Sequence, residues 1–167
     1  MTAGGGGGGA APGTGPPGLP GLPGSAGSAW QPALTIVVDA ANVVGARPDG
    51  WWRDRAAAAA RLYADLARLA ERDPAGPEII LVLEGAARAA VPLIAARAAQ
   101  DAERQRGGTA RRVRVVPAPG SGDDEIAGLA QHIAGRRLVV TADRALRRRC
   151  EAAGAEVKGP AWLYARL

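Results

Sequence analysis

The chain has 167 residues and carries 21 Lys+Arg against 16 Asp+Glu, a formal net charge of +5. Its single cysteine excludes an intramolecular disulfide framework and a Cys-based zinc finger. No run of about 18 apolar residues is available to span a membrane, and the N-terminus lacks the basic and apolar regions of a secretory signal, so a cytoplasmic protein is expected.

Residues 1–30 contain no charge and hold 12 of the 24 Gly and 5 of the 13 Pro. Such a composition cannot bury enough apolar surface to offset its ordering entropy, so this stretch reads as a disordered Gly/Pro-rich tail. It is also what a start codon placed too early would produce. Residues 15–24 spell three collagen-like triplets, too few for a triple helix. The core-forming domain is therefore expected in residues 31–167.

Residues 34–38 (LTIVV) form a β-branched run and read as a buried strand. Residues 53–72 are rich in Ala, Leu and Arg, with Leu62, Leu66 and Leu69 on one helical face. Pro74 and Gly76 end that helix. Residues 79–83 (IILVL) read as a second buried strand and 113–116 as a third, shorter one. Between them, residues 86–111 read as a partly ordered excursion; a helix over 95–106 is expected to be interrupted at its start by Pro92. Residues 121–134 read as a helix, 138–141 as a strand, 143–153 as a helix ending at Gly154, and 155–157 as a last strand. Pro160 opens a short terminal helix. Strands that alternate with helices and lack polar alternation predict a parallel sheet covered on both faces.

In such sheets ligands bind beyond the carboxyl ends of the strands. Those ends carry Asp39 and Asn42, then Glu84, then Asp123 and Asp124, then Asp143. No glycine-rich dinucleotide fingerprint and no P-loop is present. Gathered carboxylates repel one another unless protonated or neutralised by a cation. All-oxygen ligands suit Mg²⁺ or Mn²⁺ and not zinc. With those five acids set aside, 21 cations face 11 anions. An acidic centre in a positive surround suits phosphodiester chemistry on a polyanion. Twenty of the 21 cations are Arg, which the codon bias of a GC-rich genome also produces, so charge by itself is a weak argument.

Five segments in this order resemble the NYN/YacP-like branch of the PIN-like ribonuclease superfamily: 36–44 (IVVDAANVV), 83–85 (LEG), 120–124 (GSGDD), 139–144 (VVTADR) and 159–163 (GPAWL). The resemblance covers roughly residues 34–167. It implies a Rossmann-like three-layer α/β fold with a parallel sheet of about five strands in the order 3-2-1-4-5. It implies a metal-dependent endoribonuclease acting on RNA, with Asp39, Asp123, Asp124 and Asp143 holding Mg²⁺ or Mn²⁺ and Glu84 assisting. Asn42 matches the family's Asp-x-x-Asn and would orient a water or phosphate; these residues without Glu84 are the candidate catalytic set. Glu84 departs from the Asp often found after the second strand. Arg144 is the leading candidate for a phosphate clamp, and Arg47, Arg53 and Arg55 are candidates for the nucleic-acid rim.

Plainer roles compete at each position. Asp39 is placed to end a strand and cap a turn, Asp143 to cap a helix, and Ser121 with Asp124 to form a capping box. Trp51 and Trp52 fit packing of a helix start better than base stacking, and Trp162 fits the core. Arg147, Arg148 and Arg149 fit a solvated face. His132 lies nine residues past Asp123, roughly 13 Å along a helix, too far to share a metal. Cys150 has no His nearby and reads as an inert thiol. A non-catalytic RNA-binding module on the same fold is the alternative function. A haloacid-dehalogenase-type phosphatase is disfavoured because Ala41 stands where a second Asp is needed. A homodimer, and an antitoxin partner for a toxin-type member, are left open; no membrane partner is expected.

Overall fold

The computed structural model describes residues 34–73, 75–104 and 112–167. The expected tail at 1–30 lies outside the described residues.

Five strands build the sheet: β1 (Leu34–Asp39), β2 (Glu78–Leu83), β3 (Val113–Pro117), β4 (Arg136–Val140) and β5 (Glu156–Lys158). All four pairings are parallel and the order is β3-β2-β1-β4-β5. This is the expected α/β architecture. The three inner strands bury both faces. In β1, Ile36 and Val38 enter one core while Val37 enters the other, and β2 divides in the same way between Ile79, Leu81 and Leu83 and the pair Ile80 and Val82. Alternation of side chains across the pleat, with both sides apolar, is why these runs read as continuous hydrophobic stretches.

One core is closed by α1 (Ala40–Gly45), α2 (Arg55–Arg72), α3 (Ala90–Arg104) and α6 (Pro160–Tyr164), through Val43, Leu62, Leu66, Ile94 and Leu163. The other is closed by α4 (Gly122–His132) and α5 (Arg144–Ala152), through Ile126, Ala127, Ala130, Leu146 and Cys150. The result is three layers.

Two segments differ from the sequence-based expectation. Residues 40–45, to which the sequence reading assigns no element, form α1, because the Asp39 carboxylate caps the Asn42 N–H at 3.1 Å and starts a helix directly off the strand. Residues 85–104 form a 3₁₀ turn (Gly85–Ala89) followed by α3. Pro92 is the third residue of α3, inside the first turn, where backbone N–H groups have no intrahelical partner and a missing donor costs little. The rest of the expected excursion, residues 105–111, lies outside the described residues. His132 is exposed at the end of α4, Cys150 is fully buried, and Trp162 is only partly buried, with Arg166 over its ring at 3.9 Å.

A candidate acidic site at the carboxyl edge of the sheet

A parallel sheet delivers every strand's carboxyl end to one edge. Register sets what arrives there. Val38 pairs with Val140, so the next residues of each strand, Asp39 and Thr141, emerge side by side. Leu83 pairs with Pro117, which brings Glu84 level with the loop leading into α4.

Asp39 is 5% exposed and its carboxylate is held by three donors. Its Oδ1 accepts from the Asn42 N–H; its Oδ2 accepts from Asn42 Nδ2 at 2.7 Å and from Thr141 Oγ1 at 2.8 Å. Burial raises the Asp39 pKa above its ordinary value; the three hydrogen bonds oppose that and the charge of Glu84 adds to it. Thr141 is fully buried and joins two acids, because its Oγ1 also accepts from the Asp143 N–H at 3.1 Å. The Asp143 carboxylate caps α5 through the Leu146 N–H at 2.7 Å.

Asp123 lies in the first turn of α4. Partial burial raises its pKa, and the negative charges of Asp39, Asp143 and Glu84 raise it further, against an opposing pull from Arg149. Four carboxylates from four strand ends thus share one electrostatic field. Glu84 is fixed at the edge of this field by its Oε2, which accepts the Gly122 N–H at 2.8 Å. Gly122 has to be glycine for that contact, since a Cβ there would fall 2.7 Å from Glu84 Oε2. The Arg88 guanidinium, on the turn after β2, donates to Ala118 O at 3.2 Å and Pro119 O at 3.4 Å, tying down the loop that precedes α4.

Asp124 does not join the other four. Its side chain is 72% exposed and pairs with Arg149 at 2.7 Å. Ser121 caps its N–H at 3.5 Å. Successive residues of a helix point about 100° apart, so Asp123 and Asp124 in one turn cannot both face the same point. Asn42 spends one of its two side-chain N–H groups on Asp39, so it positions that acid and keeps its other N–H and its Oδ1 for other partners.

The basic candidates separate likewise. Arg144 is exposed and has no partner among the described residues, as is Arg53. Arg47 lies over the Tyr164 ring at 3.6 Å, and Arg55 over Trp51 at 5.3 Å. Among the described residues no salt bridge closes onto Asp39, Glu84, Asp123 or Asp143. Beside Glu84, a pocket of about 110 Å³ opens between Ala40, Ala41, Trp51, Arg55, Gly85 and Ala87. Trp51 is partly buried on its wall, edge-on to Trp52, which is 54% exposed.

The donor set tests whether a hard divalent ion fits. Among the described residues, no three acidic, His or Cys side chains stand close enough to form a complete cage. Mg²⁺ does not require one, because it keeps several waters and is commonly bound through one or two carboxylates. The oxygen-only donors suit such an ion, the Asp123 pKa is raised first by burial and then by its acidic neighbours, and among the described residues no salt bridge closes onto the four acids.

The all-parallel sheet in 3-2-1-4-5 order, covered by helices on both faces, defines a Rossmann-like three-layer α/β protein with acids at the carboxyl edge of its sheet. Among solved structures, the chain is similar to Rae1 (YacP) from Bacillus subtilis, with a TM-score of 0.55 and 22% identity over 78% of this chain and 71% of that one. A tryptophan-to-leucine mutant of the same protein matches with the same score and identity and is covered over 72% of its length. The fold is therefore YacP-like. No family model and no curated protein matches the chain. Among the described residues no helix is long and apolar enough to cross a membrane.

Proposed function

We propose that the chain is a metal-dependent endoribonuclease that hydrolyses phosphodiester bonds at the carboxyl edge of its sheet. The observation that carries this reading is the shared field of Asp39, Glu84, Asp123 and Asp143, onto which no cation of the described residues closes. Asp39, Asp123 and Asp143 would hold Mg²⁺ or Mn²⁺, directly or through water. An ion bound there supplies charge neutralisation, polarises a phosphoryl oxygen and lowers the pKa of a water. The hydrogen bonds from Thr141 and Asn42 favour the ionised form of Asp39 against its burial and fix the carboxylate in place. Glu84 adds negative charge at one side while its grip on Gly122 sets the start of α4. Arg144, unpaired next to Asp143, steadies a phosphate. The excess of cations outside the site draws in a polyanion. The choice of RNA over DNA rests on the resemblance to NYN/YacP-like ribonucleases.

The test is the purified full chain on structured and unstructured RNA with Mn²⁺, beside an Asp39→Asn/Asp143→Asn double variant. Cleavage by the parent and none by the variant is expected; equal activity of the two overturns the reading.

The hydrogen-bonded state of Asp39 and the incomplete cage favour one second reading, an RNA-binding module that performs no chemistry. Titration with Mg²⁺ and Mn²⁺ separates the two. A melting temperature and Trp fluorescence that stay unchanged up to millimolar ion favour the module.

A further inference from the structure

The pocket beside Glu84 has features that phosphate chemistry does not need. A closed apolar cavity of about 150 Å³ takes up a benzene ring; this one is about 110 Å³ and open to solvent, so a flat fused-ring base inserts one edge and leaves the remainder in solvent. Its walls are the small side chains of Ala40, Ala41 and Ala87 and the ring of Trp51. Two charged groups of opposite sign, Glu84 and Arg55, complete the lining. Glu84 uses one oxygen, Oε2, on the Gly122 amide, and Oε1 accepts no hydrogen bond from the described residues. Arg55 forms no salt bridge among the described residues and lies over Trp51.

We infer that this pocket is a subsite for one nucleobase next to the cleaved phosphate, and that it selects guanine. The choice of base follows from hydrogen-bond chemistry. An ionised carboxylate only accepts. Guanine alone among the four bases offers two adjacent donors, N1–H and the N2 amine, on its Watson–Crick edge. Adenine and cytosine each offer one amine beside a ring nitrogen that accepts, and uracil offers one N–H between two carbonyls. Those acceptors face a carboxylate unfavourably. Guanine also presents O6 and N7 as acceptors on another edge, which a guanidinium matches. Arg55 and Glu84 thus complement two edges of the same base, and Trp51 gives it a stacking surface. The inference takes its biological sense from the proposed nuclease reading, since Glu84 borders both the pocket and the acidic site.

Nucleosides test the subsite apart from the chemistry, because they carry no phosphate and need no metal. Guanosine, adenosine, cytidine and uridine are titrated into the full chain in the presence of a chelator, with binding followed by ligand-observed NMR. Guanosine is expected to bind about tenfold more tightly than the other three. Glu84→Gln, which keeps size but presents an amine to the base, is expected to abolish that preference. Trp51→Ala is expected to weaken every nucleoside at least about fivefold. Ala41→Leu, an exposed helical position on the pocket wall, is expected to block binding without unfolding the chain. Equal binding of all four nucleosides, or guanosine binding that survives Ala41→Leu, overturns the subsite. Cleavage of RNA with no guanosine preference leaves the nuclease reading standing and removes this one. A guanosine preference in a chain that cleaves nothing does the reverse.

Discussion

Thr141 donates its hydroxyl to Asp39 Oδ2 across 2.8 Å, and this buried bond joins the ends of two neighbouring strands at the centre of the acidic edge. The same oxygen accepts from the Asp143 N–H, so one side chain orients two candidate metal-holding residues. Thr141→Val keeps the shape and removes both functions. Leaving the Asp143 N–H and the Asp39 carboxylate short of a partner is expected to cost about 1–3 kcal/mol for each group. Because the lost donor favours ionised Asp39, its pKa rises further. The acid limb of any metal-dependent activity should move to higher pH. Thr141→Ser should restore both the stability and the pH profile, which denaturant titration and a pH–rate series will read.

Asp39 and Asp123 both have raised pKa values, yet their amide variants should behave oppositely. The folded state binds protons at these carboxyls more tightly than the unfolded chain, so stability falls as pH rises from the ordinary value of 3.8 through the raised folded values. Among the described residues Asp123 makes no side-chain hydrogen bond that Asn would break, so Asp123→Asn should raise the melting temperature at neutral pH and match the parent in acid. Asp39→Asn places an N–H₂ group near donors from Asn42 and Thr141 and should destabilise by about 1–3 kcal/mol. A series of thermal melts against pH, with and without Mg²⁺, checks both. The ion should stabilise the parent most where the acids are ionised and should do little for Asp123→Asn.

The layout of the sheet was legible because its inner strands are uninterrupted apolar runs, and their parallel pairing followed from the helices between them. α3 was harder to read, since proline is a strong breaker signal and only its position within the first turn makes Pro92 harmless. The approach of Asp39, Glu84, Asp123 and Asp143 to one edge followed from strand-end placement alone. The side-chain partners did not. Thr141 has no signal in composition, and only the β1–β4 register puts it opposite Asp39. Asp123 and Asp124 look equivalent in sequence, whereas helical rotation sends one to the acids and the other to Arg149. The Glu84–Gly122 contact joins residues 38 apart and depends on the loop that Arg88 holds.

Asp143 separates capping from function. Its Oδ1 accepts the Leu146 N–H, a role that Asn fills nearly as well and Ala does not. Asp143→Ala should lose about 0.5–2 kcal/mol of stability. Asp143→Asn should keep the parent's stability and lose RNA cleavage, because the cap survives and the negative charge does not. Asp143→Asn with unchanged cleavage and unchanged response to Mn²⁺ would reduce this residue to a helix cap.

Gly122→Ala probes how closely the start of α4 and Glu84 must fit. The added Cβ would fall 2.7 Å from Glu84 Oε2, 3.1 Å from its Cδ and 3.3 Å from its Cβ, so the carboxyl group has to swing away. The Gly122 N–H then loses its acceptor, at a cost of about 1–3 kcal/mol, while the higher helix propensity of Ala returns up to about 1 kcal/mol. The net loss of stability should be at most about 3 kcal/mol, and helical content by circular dichroism should stay at the parent's level. The chemical consequences should be larger. With the Glu84 charge moved from its place, the Asp123 pKa should fall toward 3.8, since one of the charges that raises it has receded. Carboxyl titration by NMR measures that shift directly, and a value for Asp123 unchanged in Gly122→Ala would mean that Glu84 does not depend on this glycine for its position.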